Sequence, residues 1–254
     1  MTPSNSVFTQ ALSAIRRRPF TLWLAALWPY LLLAMVCLSI AFNIHASHAP
    51  QDQVDLTTRM NSMGPSTRLG SVLAFIVAIS LPADLAASGV SFFLWTERSQ
   101  QTSTFAAVFR RLAKVILPLV FLSLFLGAIG VMGGFFLVLP GFLIFALTAF
   151  VIPILVIGEA PARLAVSKGL RLAGKKFGAL ILTYGLTAIT LVIAFALLIF
   201  VQSHLDNQPW WVALAILWFF LGFVVSATVM VRSAIVTYLL ADALSTSPSP
   251  FAQT

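Results

Sequence analysis

Six long apolar runs limit what this chain can fold into. The runs occupy residues 20–43, 69–95, 115–132, 134–158, 177–202 and 211–232. A helix needs about 20 apolar residues to cross the hydrocarbon core of a bilayer, and each run is close to that length or longer. Only 9% of the 254 residues are charged, whereas soluble domains carry about 25%. The chain therefore has too few polar side chains to cover a globular surface.

The predicted fold class is an all-α polytopic membrane protein with six transmembrane helices. The six runs form one membrane domain, residues 1–243, and the polar, proline-containing segment 244–254 is predicted to be a disordered cytoplasmic tail.

Basic residues are concentrated on one predicted side of the membrane. Twelve of them precede the first run, or separate runs two and three or runs four and five. They are Arg16, Arg17, Arg18, Arg98, Arg110, Arg111, Lys114, Arg163, Lys168, Arg171, Lys175 and Lys176. The other side holds Arg59 and Arg68. Because cytoplasmic loops are enriched in Lys and Arg, the sequence predicts a multi-pass protein with both termini in the cytoplasm.

The net charge of +8 could suggest a nucleic-acid partner. The basic clusters, however, lie at the ends of apolar runs, where anionic lipid headgroups are found. We therefore predict no nucleic-acid binding. The residues predicted to bind lipid headgroups or a partner are Arg110, Arg111, Lys114, Arg163, Lys168, Arg171, Lys175 and Lys176.

Three segments near these clusters have the pattern of short cytoplasmic amphipathic helices. The apolar stripes are Phe8, Leu12 and Ile15 in the first, Phe105, Val108, Phe109 and Leu112 in the second, and Val166, Leu170, Ala173 and Phe177 in the third. Each segment leads into a pair of apolar runs. The chain can therefore be interpreted as a threefold repeat of helix plus hairpin, or as recurring basic helices in short cytoplasmic loops.

Residues 135–182 carry a recognisable pattern of small, apolar and acidic residues. An apolar run opens with Pro-Gly and contains a second proline; an acidic residue and a helix with small residues follow. The positions are Pro140, Gly141, Pro153, Glu159, Ala165, Ser167, Leu170 and Leu172. This pattern resembles the YciC-like bacterial inner-membrane proteins, which are related to the membrane domain of some glycerophosphodiester phosphodiesterases. The resemblance implies six spans and a bacterial inner (cytoplasmic) membrane location, but no chemistry.

The same residues have a direct physical interpretation. Pro140 removes a helix hydrogen bond and Gly141 allows another helix to approach, so the fourth span is predicted to be kinked and closely packed. Glu159 precedes a basic helix, where a carboxylate favours the helix dipole. The motif is either purely structural or one wall of a cavity for a lipid or substrate.

The sequence offers little for catalysis. It has no glycine-rich phosphate loop, nucleophile elbow or carboxylate run with metal spacing. His45, His48 and His204 all fall in predicted outer loops, where histidines are usually solvated. We predict no metal site, no cofactor and no enzymatic activity.

Asp84 is a carboxylate in the middle of the second apolar run. An isolated charge there costs several kcal/mol, so it should be protonated, line a polar cavity or have a partner. Arg232, near the end of the sixth run, is the candidate partner. In each case Asp84 is predicted to face the interior of the bundle.

The function predicted first is that of a non-enzymatic, lipid-interacting accessory or scaffold factor in the cell envelope. Its partners would be anionic membrane lipids and a second envelope membrane protein. The alternative is a transporter or permease subunit for a lipid or another hydrophobic molecule, because polar residues inside spans are few.

Overall fold

The computed structural model describes residues 3–47, 65–99, 104–136, 138–158, 161–203, 216 and 221–246. The elements are α1 (Pro3–Arg17), α2 (Pro19–Ser47), α3 (Pro65–Arg98), α4 (Phe105–Phe136), α5 (Val138–Thr148), α6 (Val151–Ile157), α7 (Ala162–Lys175), α8 (Phe177–Ser203), a π-helical segment (Leu221–Val225) and α9 (Ser226–Ser245). Within these ranges every element is helical, which confirms the predicted all-α class.

Three helical stretches in the described part of the chain are long and apolar enough to span a membrane. They are Phe105–Ile129, Phe177–Val201 and Gly222–Ser245. Two shorter apolar helical stretches, Pro19–Met35 and Gly141–Ile157, accompany them. These helices are what a membrane protein requires, while the arrangement of six spans remains a prediction.

Prolines determine where the helices around the predicted fourth span begin and end. Pro153 has no N–H to bond the carbonyl of Ala149, four residues earlier, and its ring crowds that carbonyl. The helix is interrupted at Ala149 and Phe150 and begins again at Val151. Pro140 is likewise the third residue of its helix, α5, and α4 ends four residues before it at Phe136. The predicted fourth span is therefore interrupted at Ala149 and Phe150, while a kink at Pro140 itself stays a prediction.

The boundaries of three predicted spans also differ from the helices. The turn between spans three and four is predicted within residues 127–134, but α4 continues through them to Phe136. The last helix continues beyond the expected end at residue 232 to Ser245, because no Gly or Pro interrupts residues 226–245. The first residues of the predicted tail are therefore helical. Residues 247–254 lie outside the described part.

The amphipathic stripe of α1 is displaced by one residue from the predicted stripe. Val7, Ala11 and Ala14 are buried, whereas Leu12 is 50% exposed. Since α1 packs mainly on α9, its two alanines allow the close approach that a leucine would prevent.

Helix α7 departs from its predicted stripe only in part. Ala173 is buried as predicted and Val166 packs against the core, but Leu170 is 41% exposed and the other buried residues are Ala165, Gly169 and Leu172. A Cβ atom on Gly169 would lie 2.8 Å from Cγ2 of Val151, so this contact with α6 requires glycine.

The predicted second amphipathic helix is not separate. Its residues form the first turns of α4, which continues without a break into the apolar segment. Val108 and Leu112 are buried there as expected, and Phe109 packs edge-on against Trp28 at 5.0 Å. Since the first and third amphipathic helices end before the next helix begins, the three segments differ, and the threefold repeat remains a prediction.

Helices α3 and α9 lie at the centre of the structure. Helix α3 packs against α2, α4, α6 and α9, and α9 also contacts α1, α2, α7 and α8. Gly89 of α3 approaches α2 closely, since a Cβ atom there would lie 3.3 Å from the Ala25 carbonyl oxygen. Functional side chains on α3 and α9 therefore face the interior.

The start of the last helix contacts the first turns of α2. The rings of Phe223 and Trp23 are 5.3 Å apart, and Phe223 belongs to the π-helical segment. This contact differs from the expectation of two straight antiparallel spans, which would hold the two residues on opposite sides of the membrane. The π-helical turn is where the backbone of the last helix departs from α geometry.

Large apolar side chains cover the outer faces of α2, α4 and α8. On α8 the exposed apolar side chains extend along nearly the whole helix. They are Leu182, Leu186, Ile189, Val192, Ile193, Phe195, Leu197, Ile199, Phe200 and Val201. Apolar patches of this extent mark surfaces that contact a membrane or another protein.

Candidate functional site

Side chains from five helices form a polar cluster inside the bundle. Tyr30 comes from α2, Asp84 from α3 and Ser123 from α4. Tyr184 comes from α8 and Arg232 from α9. We call these five residues the polar core. Asp84 faces the bundle interior, which is the side predicted for it.

The local sequence of α3 gives it a polar face. Asp84, Ser88 and Ser91 are spaced at i, i+4 and i+7, so they share one side of the helix. Ser88 donates a hydrogen bond to the Asp84 backbone carbonyl at 2.7 Å. Further along, Thr237 of α9 donates to the Ser91 hydroxyl at 2.9 Å, and both residues are buried. This bond fixes α3 and α9 to each other next to the polar core.

Arg232 is held by an aromatic ring rather than by a carboxylate. Its Cζ atom lies 5.2 Å from the centre of the Tyr184 ring, a cation–π distance. Asp84 is within electrostatic range of Arg232 but does not form a contact ion pair with it. The two charges therefore belong to one cluster without neutralising each other directly.

The hydroxyl of Tyr30 is buried and, within the described residues, has no hydrogen-bond partner. Ser123 interacts with the Asp84 side chain, which can accept a hydrogen bond from its hydroxyl. A buried polar group without a partner costs about 1–3 kcal/mol. Burial of the Tyr30 hydroxyl is therefore not compensated by any of the described residues.

We call the twelve basic residues that are predicted to be cytoplasmic the basic end, and contacts near the end of α9 bring some of them together. Arg17, Glu97 and Arg98 are all within electrostatic range of Tyr238 near the end of α9, and Arg98 lies 5.8 Å from the Tyr238 ring centre. Lys176 forms a 2.6 Å salt bridge with Asp242 in the last turn of α9. Basic segments that are distant in the sequence therefore meet near the C-terminal end of α9.

Helix α7 connects this region to the start of α4. Arg111 donates a hydrogen bond from Nε to the Val156 carbonyl at 2.6 Å, next to the loop that leads into α7. The predicted headgroup ligands Arg110, Lys114, Arg163, Arg171 and Lys175 are exposed, whereas Arg111, Lys168 and Lys176 are half-buried. The structure thus separates five exposed cations from three that pack against the protein.

The residues of the kinked-span motif are distributed over α5, α6 and the segment after α6. Gly141 is buried in α5 and Pro153 is buried in α6. Pro140 belongs to the first turn of α5. Glu159 lies outside the described residues, as do His48, His204 and the side chain of His45.

Sequence analysis identified Asp84 and Arg232 but missed the other members of the polar core. Tyr30 and Tyr184 are two of only three tyrosines and lie inside apolar runs. Tyrosine in membrane proteins is usually found at the membrane interfaces. A tyrosine inside an apolar run could therefore have indicated a polar site within the bundle. Ser123 gave no signal, because single serines are common in transmembrane helices.

Comparison with known proteins does not extend this description. No protein-family model, no curated protein and no solved structure matches the chain.

Proposed function

We propose that this protein is a multi-pass protein of the bacterial inner membrane, with both termini in the cytoplasm, that binds anionic lipid headgroups at its basic end. It acts as a non-enzymatic accessory or scaffold factor in the cell envelope. The observation that carries this proposal is the position of exposed cations directly beside exposed apolar side chains.

This arrangement occurs on two helices. On α4, exposed Phe109 precedes exposed Arg110, and exposed Leu117 follows one turn after Lys114. On α7, exposed Leu170 precedes exposed Arg171. A helix at a membrane interface places its apolar side chains among acyl chains and its cations among headgroups. Both helices meet this requirement where the basic end borders the apolar surface.

The charge of the basic end suits anionic rather than zwitterionic lipid. Glu97 and Asp242 are the acidic residues in its described part, beside twelve basic ones. Each Lys or Arg near an anionic membrane surface contributes about 1 kcal/mol. Five of the predicted headgroup ligands are exposed, namely Arg110, Lys114, Arg163, Arg171 and Lys175. Together they should favour anionic phosphatidylglycerol or cardiolipin over zwitterionic lipid by several kcal/mol.

Helix α8 offers a surface for a second membrane protein. It is apolar on nearly all sides and packs on the bundle mainly through α5 and α9. Lipid alone can cover such a helix, and so can a second membrane protein of the envelope. A scaffold function would use this surface.

The polar core favours the second candidate function, a transporter or permease subunit for a lipid or other hydrophobic molecule. Ionisable residues inside spans commonly mark substrate pathways. A helix interrupted within a span, as between α5 and α6, is also frequent in transporters. Protein reconstituted into liposomes should accelerate the transbilayer movement of a labelled lipid if this candidate is correct.

The proposed function is tested by neutralising four exposed cations together in the variant R110Q/K114Q/R171Q/K175Q. After extraction in mild detergent, mass spectrometry should show a several-fold lower ratio of anionic lipid to phosphatidylethanolamine than in the wild type. The variant R110K/K114R/R171K/K175R keeps the charges and should retain the wild-type ratio. An unchanged ratio in the neutralised variant would show that these residues only orient the protein.

A further inference from the structure

We propose that the outer face of α4 binds one anionic phospholipid lengthwise, with its phosphate at Arg110 and Lys114 and an acyl chain along Leu117, Phe121 and Phe125. We call these five residues the α4 stripe. The inference rests on the proposed lipid binding at the basic end, and it adds where one lipid lies and which class of headgroup it carries.

The first support is the spacing of the α4 stripe. Arg110, Lys114, Leu117, Phe121 and Phe125 follow one another at i, i+4, i+7, i+11 and i+15 in one uninterrupted helix. This spacing places all five residues on the same side of the helix. The face is therefore cationic at one end and apolar along the rest, which is the polarity that a bound anionic phospholipid requires.

Contacts on the opposite side of α4 fix this face outward. The buried residues of the first half of the helix are Val108, Leu112, Val115, Leu119 and Leu122. Arg111 donates a hydrogen bond from Nε to the Val156 carbonyl at 2.6 Å, and this bond also holds the helix against the bundle. The three apolar side chains of the α4 stripe are 62–69% exposed, so they lie on the surface that lipid can reach.

The two cations of the α4 stripe are available to one phosphate. Arg110 and Lys114 are exposed, and neither forms a hydrogen bond or an ion pair within the described residues. Side chains one helical turn apart have Cβ atoms about 5–6 Å from each other, so both cations can bind the same phosphate group. Because α4 contains no acidic residue, no group of the helix would bind the ammonium of phosphatidylethanolamine. The charges therefore favour a headgroup such as that of phosphatidylglycerol.

The length of the α4 stripe matches one leaflet of a bilayer. From Lys114 to Phe125 the helix rises about 16 Å. One leaflet contributes half of the hydrocarbon thickness of about 30 Å, which is about 15 Å. An acyl chain that starts at a headgroup on the two cations would therefore contact Leu117, Phe121 and Phe125 in turn.

Helix α7 supplies a natural comparison. Arg171 and Lys175 are also exposed cations one turn apart. Helix α7 ends at Lys175, however, and α8 begins only at Phe177. No uninterrupted helix face leads from this second pair into an apolar stripe. The pair on α7 therefore controls for charge alone.

The headgroup is tested on delipidated full-length protein in neutral detergent, with native mass spectrometry to count bound lipid. Dioleoyl phosphatidylglycerol should occupy its first site at least fivefold more tightly than dioleoyl phosphatidylethanolamine. R110Q/K114Q should weaken this first site at least tenfold, whereas R110K/K114R should retain it. R171Q/K175Q should weaken it less than twofold.

The acyl chain is tested by Phe121→Ala. This variant should bind dioleoyl phosphatidylglycerol about threefold more weakly and should bind dihexanoyl phosphatidylglycerol with unchanged affinity, because a six-carbon chain ends before Phe121. Phe195→Ala on α8 is the matched control, since Phe195 is also exposed, at 57%, but lies outside the α4 stripe. It should leave the binding of both lipids unchanged.

Equal losses in R110Q/K114Q and R171Q/K175Q would overturn the α4 site and leave the proposed function intact. A wild-type protein without preference for phosphatidylglycerol would contradict both. The acyl-chain placement is wrong if F121A and F195A bind dioleoyl phosphatidylglycerol alike. Should R110Q/K114Q release a co-purifying protein and keep its affinity for phosphatidylglycerol, the α4 stripe would be a protein interface and the proposal would be overturned.

Discussion

Gly169 allows a sharp test of how α7 is fixed to the membrane domain. A Cβ atom at this position would lie 2.8 Å from Val151 Cγ2 and 3.1 Å from both the Val151 backbone nitrogen and Cα. Carbon atoms in ordinary contact are about 3.5–4.0 Å apart. Val151 cannot easily move away, because its branched side chain is stiff and two of the three contacts involve its backbone. Replacing Gly169 by alanine should therefore push α7 away from α6.

Two opposing effects set the magnitude for Gly169→Ala. Overpacking a tight contact costs about 1–3 kcal/mol. Alanine favours a helix interior over glycine by about 1 kcal/mol. The net effect on the free energy of unfolding should be a loss of about 0–2 kcal/mol. Gly174, in the same helix, serves as the control, because a Cβ atom added to it would meet no atom within 4 Å. Gly174→Ala should leave stability unchanged or raise it by up to about 1 kcal/mol.

The assay is thermal unfolding in detergent, followed by intrinsic tryptophan fluorescence. The gain in helix propensity is common to both variants, so G169A should be less stable than G174A by the overpacking cost of about 1–3 kcal/mol. In a chain of this size about 1 kcal/mol corresponds to about 2–4 °C, so G169A should unfold at least about 2 °C below G174A. Val151→Ala removes the Cγ2 contact and should reduce the cost of G169A in the double variant. The close approach of α7 to α6 is refuted if G169A is as stable as G174A and Val151→Ala shows no coupling to it.

Two charged contacts at the basic end give further predictions. Lys176→Met should lower stability by about 1 kcal/mol, because it breaks the half-buried 2.6 Å salt bridge to Asp242. The charge-swapped variant K176D/D242K should recover part of this loss. Equal melting temperatures of K176M and the wild type would contradict the prediction. Arg111→Met should cost about 1–3 kcal/mol through its lost bond to the Val156 carbonyl, whereas the exposed neighbour changed by Arg110→Met should cost little. Equal effects at residues 110 and 111 would show that the bond does not contribute.

The all-helical class and the apolar helices could be predicted because they depend on local sequence alone. The amphipathic stripes were predicted one residue out of place for a tertiary reason. Hydropathy favours Leu12 and Leu170 as buried residues, but helices that approach closely bury alanine and glycine. The prolines predicted an irregular fourth span, and the interruption at Ala149 and Phe150 lies one turn before Pro153.

The polar core was predictable only in part. Asp84 and Arg232 stood out because charges in apolar runs are rare. Tyr30, Ser123 and Tyr184 join them only because α2, α4 and α8 pack around the same point. That convergence depends on how the helices pack against one another, and the hydropathy of a single apolar run contains no information about helix packing.

The most direct measurement is the sidedness of the basic end in intact cells. Cys37, the single native cysteine, is replaced, and single cysteines are introduced at Ser62, Ser99, Ser167 or Asn207. An impermeant thiol reagent should label positions 62 and 207 in intact cells. Positions 99 and 167, whose side chains are exposed in the structure, should be labelled only after the cells are permeabilised. Labelling of position 167 from outside would contradict a cytoplasmic basic end, and with it the proposed binding of cytoplasmic anionic lipid.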